Sequence, residues 1–424
     1  MMAGAVLSSA RFRMKLLPIL FFSLAIYGDT LPGFRVQTVA KIDGFASSIA
    51  TASDGTLYVT TTDGWIHRLA PRDSASTRVT SLPTHAGGNG GLLGMALEDD
   101  HTAVVHYTKW KNDDLVLDDV LSRVDLTTGE ETVIHAFACD VEVHDRGASS
   151  EHHGGNPAIA PDGSIFVGIG EYGAQINAQR DGWNGGRIWR IARDGTVTQW
   201  AQGLRNPYDL AWDPELEALV LSDNGPTGGG DEINLVSEGA NCGWPMTYGH
   251  EPPVSGTVVP QYVFPETVAP TGLARLDGAN EMLRHGYLSA AFVTRALYYF
   301  PAIAPAPLAD PSMLLGQFDE FIIDVTQAPS GEIYFVSALM SGTTTVSRLV
   351  VPERGDCDGN GLVDFRDMLA LYREIDDGPE HTTVAQNGAF AGSWGCDANA
   401  DGVIDANDAE ALRRLVGGRR RAVR

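Results

Sequence analysis

The residue pattern points to an all-β, six-bladed propeller followed by a small α-helical, EF-hand-like module. Three observations carry this expectation. A turn-and-strand unit recurs at near-multiples of about 54 residues, within reach of propeller blade periods. Period-two alternation with Gly, Pro, Asp and Asn turns dominates up to about residue 350, and long amphipathic helices are missing there. Beyond Val351, two copies of an acidic loop-plus-helix unit replace that pattern.

At the start of the chain, Arg11, Arg13 and Lys15 precede "LLPILFFSLAIYG", residues 16–28. A basic stretch before an apolar run this short reads as a secretory signal over residues 1–28. No later segment is long and apolar enough to span a bilayer, so the expected location is secreted, extracellular or periplasmic. The formal net charge of −24 argues against nucleic acid and anionic lipid as partners.

The propeller is expected over residues 29–352. Its recurring unit is an apolar pair, a turn and an alternating strand. It appears as "IATASDGTLYVT" around Gly55, "AIAPDGSIFVGIG" around Gly163 and "VTQAPSGEIYFVS" around Gly331, with a looser copy near Glu217. The intervals are 108, 54 and 114 residues, which leaves room for about six units. Loops of such a fold converge on an axial channel where ligands bind.

The tail, residues 353–416, holds two twelve-residue loops. Asp356, Asp358, Asn360, Asp364 and Asp367 fall at positions 1, 3, 5, 9 and 12 of the first. Asp397, Asn399, Asp401, Asp405 and Asp408 repeat that spacing. Gly361 and Gly402 take the sharp-turn position, and Leu362 and Val403 follow with backbone carbonyls. Hard oxygen donors at this spacing suit calcium. Cys357 and Cys396 sit beside the two loops as a candidate pair, whereas Cys139 and Cys242 read as small buried residues. "GGRRRAVR", residues 417–424, reads as a solvated basic tail.

"EHHGG", residues 151–155, leaves alternatives open. It suits a catalytic base at a strand end, a hydrogen-bonding structural histidine, or a zinc site completed by His144 or Asp140. Adjacent strand residues point to opposite faces, which disfavours one metal shared by both histidines. No G-x-S-x-G elbow is present, so a serine hydrolase lacks support.

The tail resembles a type I dockerin, with Asp in place of Glu at position 12. That resemblance implies calcium-dependent folding and a cohesin-like docking partner. The segment between the two loops is longer than in that family. "NGGLLGMAL", "EHHGG", "GLRNPYDLAWDP" and "SDNGPTGGGDEINLVSEGANCGWP" occur in the order found in soluble quinoprotein glucose and aldose sugar dehydrogenases. The region therefore resembles that family: six-bladed propellers that bind pyrroloquinoline quinone and calcium and oxidise aldoses to lactones.

The resemblance implies His152 as general base, with Glu151 orienting or desolvating it. Arg205 and Asn206 would face the quinone's reactive oxygens. Gly225 and Pro226 would offer carbonyls to the cofactor-bridging calcium, and Asp231 and Glu232 would belong to calcium-linked structure. Asn89 and Tyr172 would contact the cofactor, both standing where the family has Gln. Phe321 and Ile323 replace two family arginines that pair with quinone carboxylates, and Arg295 is the candidate replacement. The departures keep a second expectation alive, that of a binding propeller for a glycan or protein ligand without the quinone.

Overall fold

A computed structural model describes residues 29–30, 34–110, 117–139, 151–278, 283, 285–300, 303, 313–378 and 394–422. The proposed signal, His144, Asp140 and most of the segment between the two acidic loops lie outside them. Six sheets are arranged around one axis, antiparallel except where Ala240–Asn241 pairs in parallel with Val197–Gln202. Blade 1 is built of Ala46–Thr51, Leu57–Thr61, Trp65–Leu69 and Thr77–Ser81. Blades 2 to 6 begin on Leu92–Asp99, Ala158–Ile159, Pro207–Asp213, Pro270–Leu276 and Phe321–Gln327. These six first strands neighbour one another in a closed ring, blade 6 meeting blade 1. Arg35–Asp43 pairs with Thr343–Val350, so a strand from near the start of the described chain supplies the outer edge of the last blade and closes the ring.

The recurring turns occupy one structural position. Gly55, Gly163, Glu217 and Gly331 each sit between the first and second strands of blades 1, 3, 4 and 6, all with φ between 49° and 87°. Blade 2 turns there through Asp99, Asp100 and His101, which carry no glycine, and blade 5 crosses by a longer connection between Leu276 and Gly286. The doubled intervals in the sequence are therefore skipped blades.

A polar hub ties the six first strands together inside the channel. Asn156 Oδ1 accepts from the Met95 N–H of blade 2 at 3.3 Å, and Nδ2 donates to Asp324 of blade 6 at 3.2 Å. Asn156 also hydrogen-bonds Asp209 of blade 4. Asp324 accepts from Ile49 N of blade 1 at 2.8 Å, and Asp209 from Leu273 N of blade 5 at 2.5 Å. Burial pushes both carboxyls up, Asp324 to about 6, and Asp324 adds its charge to the rise at Asp209. Neighbouring backbone must come close: a Cβ on Gly94 would lie 2.4 Å from Asn156 Oδ1, and one on Gly272 2.2 Å from Asp324 Oδ1.

The tail forms two helices, α1 (Phe365–Asp377) and α2 (Ala406–Ala422). A reciprocal capping box starts α1, with Asp364 accepting from Arg366 N while Asp367 accepts from Asp364 N. Cys357 and Cys396 are disulfide-bonded, and Cys139 and Cys242 are buried. α2 runs on to Ala422, so most of the basic run expected as a solvated tail is helical. The tail shares its core with blades 5 and 6. Trp394 packs edge-on against Phe34 at 5.5 Å and Tyr299 at 6.4 Å, within a cluster holding Leu276, Leu349, Leu371 and Leu412.

Candidate active site

A cavity of about 640 Å³ opens at one end of the channel, where the first strands begin and the second strands turn into the third. The tail packs at the opposite end, against the far ends of those first strands, near Leu276. Glycine lets the "EHHGG" segment reach its position. A Cβ on Gly154 would stand 2.0 Å from the Gly168 carbonyl oxygen, and one on Gly155 2.0 Å from that of Tyr208. These glycines serve close strand approach. His152 itself has φ of 53°, a left-handed backbone uncommon for a residue with a side chain.

The two histidines do different work. His152 lines the cavity, its side chain 12% exposed, and its Nδ1 lies 2.8 Å from Glu171 Oε1. A carboxylate only accepts, so Nδ1 carries a proton, and in the neutral ring Nε2 holds the lone pair. Among the described residues Nε2 has no hydrogen-bond partner. His153 is buried, with Nδ1 3.0 Å from Asp119, and His106 Nε2 approaches the same carboxylate at 3.3 Å. Burial alone would raise Asp119, but His153 and His106 override it and hold the carboxyl well below the usual range. Among the described residues, the one group of three metal-ligating side chains lies in the tail, not here.

Glu151, expected to orient or desolvate the base, is exposed, and the carboxylate bonded to His152 is that of Glu171. The two are twenty residues apart, and backbone bonds from Glu171 N to Arg205 O and from Tyr172 N to His152 O bring the segments together. The "GIGE" strand end was the signal for this partner.

Arg205 and Asn206 both line the cavity. Asp223 holds their peptide, accepting from Asn206 N at 2.7 Å and Arg205 N at 3.0 Å. Burial, then the Glu232 charge, pushes Asp223 up to about 8. Asn206 Oδ1 accepts from Gly154 N, locking the histidine segment to blade 4. Arg205 Nη1 donates at 2.9 Å to the carbonyls of Asn224 and Gly225.

Of the expected ligands, Gly225 lines the cavity and its carbonyl accepts from the Arg205 guanidinium, and Pro226 is not part of the lining. Asp231 accepts from Gly225, Val268 and Ala269 N–H groups; Glu232 accepts from Gly249 N and Asn234 Nδ2. These carboxylates brace loops, and burial raises both. Asn89 is exposed and lines the cavity. Tyr172 is fully buried behind it, edge-on to His153 at 5.4 Å. Arg295 lies outside the lining: its guanidinium donates to the Asp319 carbonyl and stands 4.7 Å from the Phe321 ring. Phe321 stacks on Phe292 at 4.3 Å, and Phe292 and Ile323 form part of the wall.

In the tail, Asp356, Asp358 and Asp367 bring ligand oxygens within 4.8 Å of one another. Gly361 N donates to Asp356 and Gly402 N to Asp397, and Asp367 and Asp408 each accept twice from their own loops. Asn360 and Asn399 accept from Leu362 N and Asp401 N; Asp401 and Asp405 accept from Val403 N and Asn407 N. Burial raises Asp356, Asp367, Asp397 and Asp408. Clustered carboxylates penalised in this way fit a hard divalent cation.

An axial cavity holding a histidine–carboxylate dyad, on a six-bladed propeller with an acidic two-loop tail, defines the class of protein. Comparison with known proteins gives the family. The Glucose / Sorbosone dehydrogenase family matches residues 45–346, and the type I dockerin domain matches residues 354–417. The chain belongs to the Glucose / Sorbosone dehydrogenase family and carries a type I dockerin domain. It is 29% identical to the aldose sugar dehydrogenase YliI of Escherichia coli over 153 residues, 30% of this chain and 41% of that protein. It is 25% identical to quinoprotein glucose dehydrogenase B of Acinetobacter calcoaceticus over 230 residues, 44% of this chain and 47% of that protein. The chain spans about half the length of the curated relatives it matches. The fold is similar to the apo soluble aldose sugar dehydrogenase of Escherichia coli, with a TM-score of 0.64, 19% identity, and coverage of 76% of this chain and 100% of that one. It is also similar to the PQQ-bound aldose sugar dehydrogenase of Streptomyces coelicolor, with a TM-score of 0.62, 22% identity, and coverage of 76% and 100%.

Proposed function

We propose that the propeller is a sugar-directed oxidoreductase in which His152 takes the proton from a substrate hydroxyl. The carrying observation is the His152–Glu171 dyad, which fixes the tautomer and leaves Nε2 open toward the cavity. As a two-electron acceptor takes hydride from the hydroxyl-bearing carbon, the O–H proton moves to Nε2 and the Glu171 carboxylate stabilises the imidazolium. Arg205 and Asn206 stand beside it to hold oxygens that gain negative charge.

Pyrroloquinoline quinone has three carboxylates, and burying an unpaired carboxylate is costly. Among the described residues, Arg205 is the only Arg or Lys in the lining, and its Nη1 is already bonded to two carbonyls. The described residues do not fit the quinone's carboxylate edge, and no step is assigned to it.

The tail is read as a calcium-loaded docking module for a cohesin-like protein, on an exported chain. A second reading, a binding propeller for an uncharged ligand, draws support from the apolar Phe292–Ile323 wall. The test is aldose oxidation by the full chain with an artificial electron acceptor, with and without added quinone and calcium. Turnover that His152→Ala abolishes at unchanged melting temperature is expected. Equal rates in that variant would sink the mechanism, and no turnover under any condition would favour the binding propeller.

A further inference from the structure

The cavity has two chemically different halves. Blades 3 and 4 contribute His152, Arg205, Asn206 and Asn224. Blades 5, 6, 1 and 2 contribute Phe292, Ile323, Met340, Phe45 and Leu93, an arc that is mainly apolar and carries no charge, with Ser47, Thr62, Thr271 and Asn89 between them. The arc continues outward, since Met340 is 75% exposed and Val293 and Leu339 are exposed beside it. It is also stiff. Phe292 stacks on Phe321 with the rings 11° from parallel, and Arg295, clamped by the Asp319 carbonyl, lies against the same ring. An anion placed in this half would lose water without meeting a cation. An uncharged ring or alkyl chain would cover apolar surface that is otherwise wet.

We propose that this arc is an aglycone subsite, so that the ligand is an amphipathic glycoside with a free ring hydroxyl of its sugar, not the substituted anomeric oxygen, at His152 and an uncharged aryl or alkyl group against Phe292 and Met340. This rests on the sugar-directed reading above. Covering one phenyl ring raises affinity by roughly tenfold to hundredfold.

The experiment is calorimetric titration of the full chain with matched methyl, octyl and 4-nitrophenyl glycosides of glucose, galactose and xylose. Pyrroloquinoline quinone and calcium are titrated alongside. For the sugar that binds, the aryl or octyl form is expected to bind at least tenfold more tightly than the methyl form. Met340→Glu, at an exposed rim position, is expected to remove most of that difference. Phe292→Ala is the second variant, expected to weaken the aryl and octyl forms more than the methyl form. Equal affinity of methyl and aryl forms would overturn the subsite and leave the sugar reading standing. Tight quinone binding by the unmodified chain would also overturn it, because the arc would then accept carboxylates. Binding of no glycoside in any form would overturn both.

Discussion

Replacing Asn156 by Ala tests whether the channel hub holds the ring of blades together. Asn156 is 5% exposed and bonds to three blades other than its own. Truncation leaves the Met95 N–H without its acceptor and removes one donor from each of two buried carboxyls. Leaving a buried polar group unsatisfied costs about 1–3 kcal/mol, and three groups are affected. Relaxation and residual water reduce the sum, so the expected loss is about 3–5 kcal/mol, at the high end for a single substitution. Urea denaturation followed by tryptophan fluorescence measures it through the midpoint at constant slope. A loss below about 1 kcal/mol with unchanged slope would refute the hub as a structural tie. The same hub has a pH signature. Asp324 is raised from 3.8 to about 6, so in that window the folded state holds more protons than the unfolded one. Stability from this group is therefore present at low pH and lost as pH rises through the folded value. The stability difference between Asp324→Asn and the unmodified chain should shift in favour of the variant between about pH 4 and 6, and a flat difference would argue against the raised carboxyl.

Three further outcomes follow from the geometry. Glu171→Gln should lower sugar oxidation about tenfold to hundredfold by releasing the His152 tautomer, while Glu151→Gln should leave the rate within about twofold; equal effects would contradict the dyad. Chelator should lower the helix content of the tail and open the segment around residues 354–416 to protease, and calcium should restore both; an unchanged digestion pattern would count against metal-dependent folding. Trp394→Ala removes a side chain that is 4% exposed in the shared core and should cost about 3–5 kcal/mol. Its thermogram should separate into distinct tail and propeller transitions, whereas one transition at the original temperature would mean the contact carries little.

How far the sequence could be read depended on the range of the interaction concerned. The calcium-type loops were legible because their ligands lie within twelve residues and their spacing is itself the constraint. The propeller was legible at four turns where a positive φ calls for glycine or tolerates Glu217, and was silent at Asp99–His101, where the same bend needs none. Motif order placed His152, Arg205 and Asn206 at the cavity but could not give side-chain direction. Tyr172 turns inward behind His153, and Arg295 turns outward over Phe321. The Glu171 partnership lies within blade 3, where the strand end "GIGE" hints at it, whereas the Asn156 hub joins blades through the closed ring and no local pattern encodes it.

The tail's shared core with blades 5 and 6 fixes which way the propeller faces. Many docking tags ride on a slack tether, and the cargo tumbles at the end of it. Here Trp394 is seated between Phe34 and Tyr299, on the far side of the disc from the cavity. A scaffold gripping the tail would therefore hold the propeller like a dish on a mount, its opening turned outward toward whatever diffuses past.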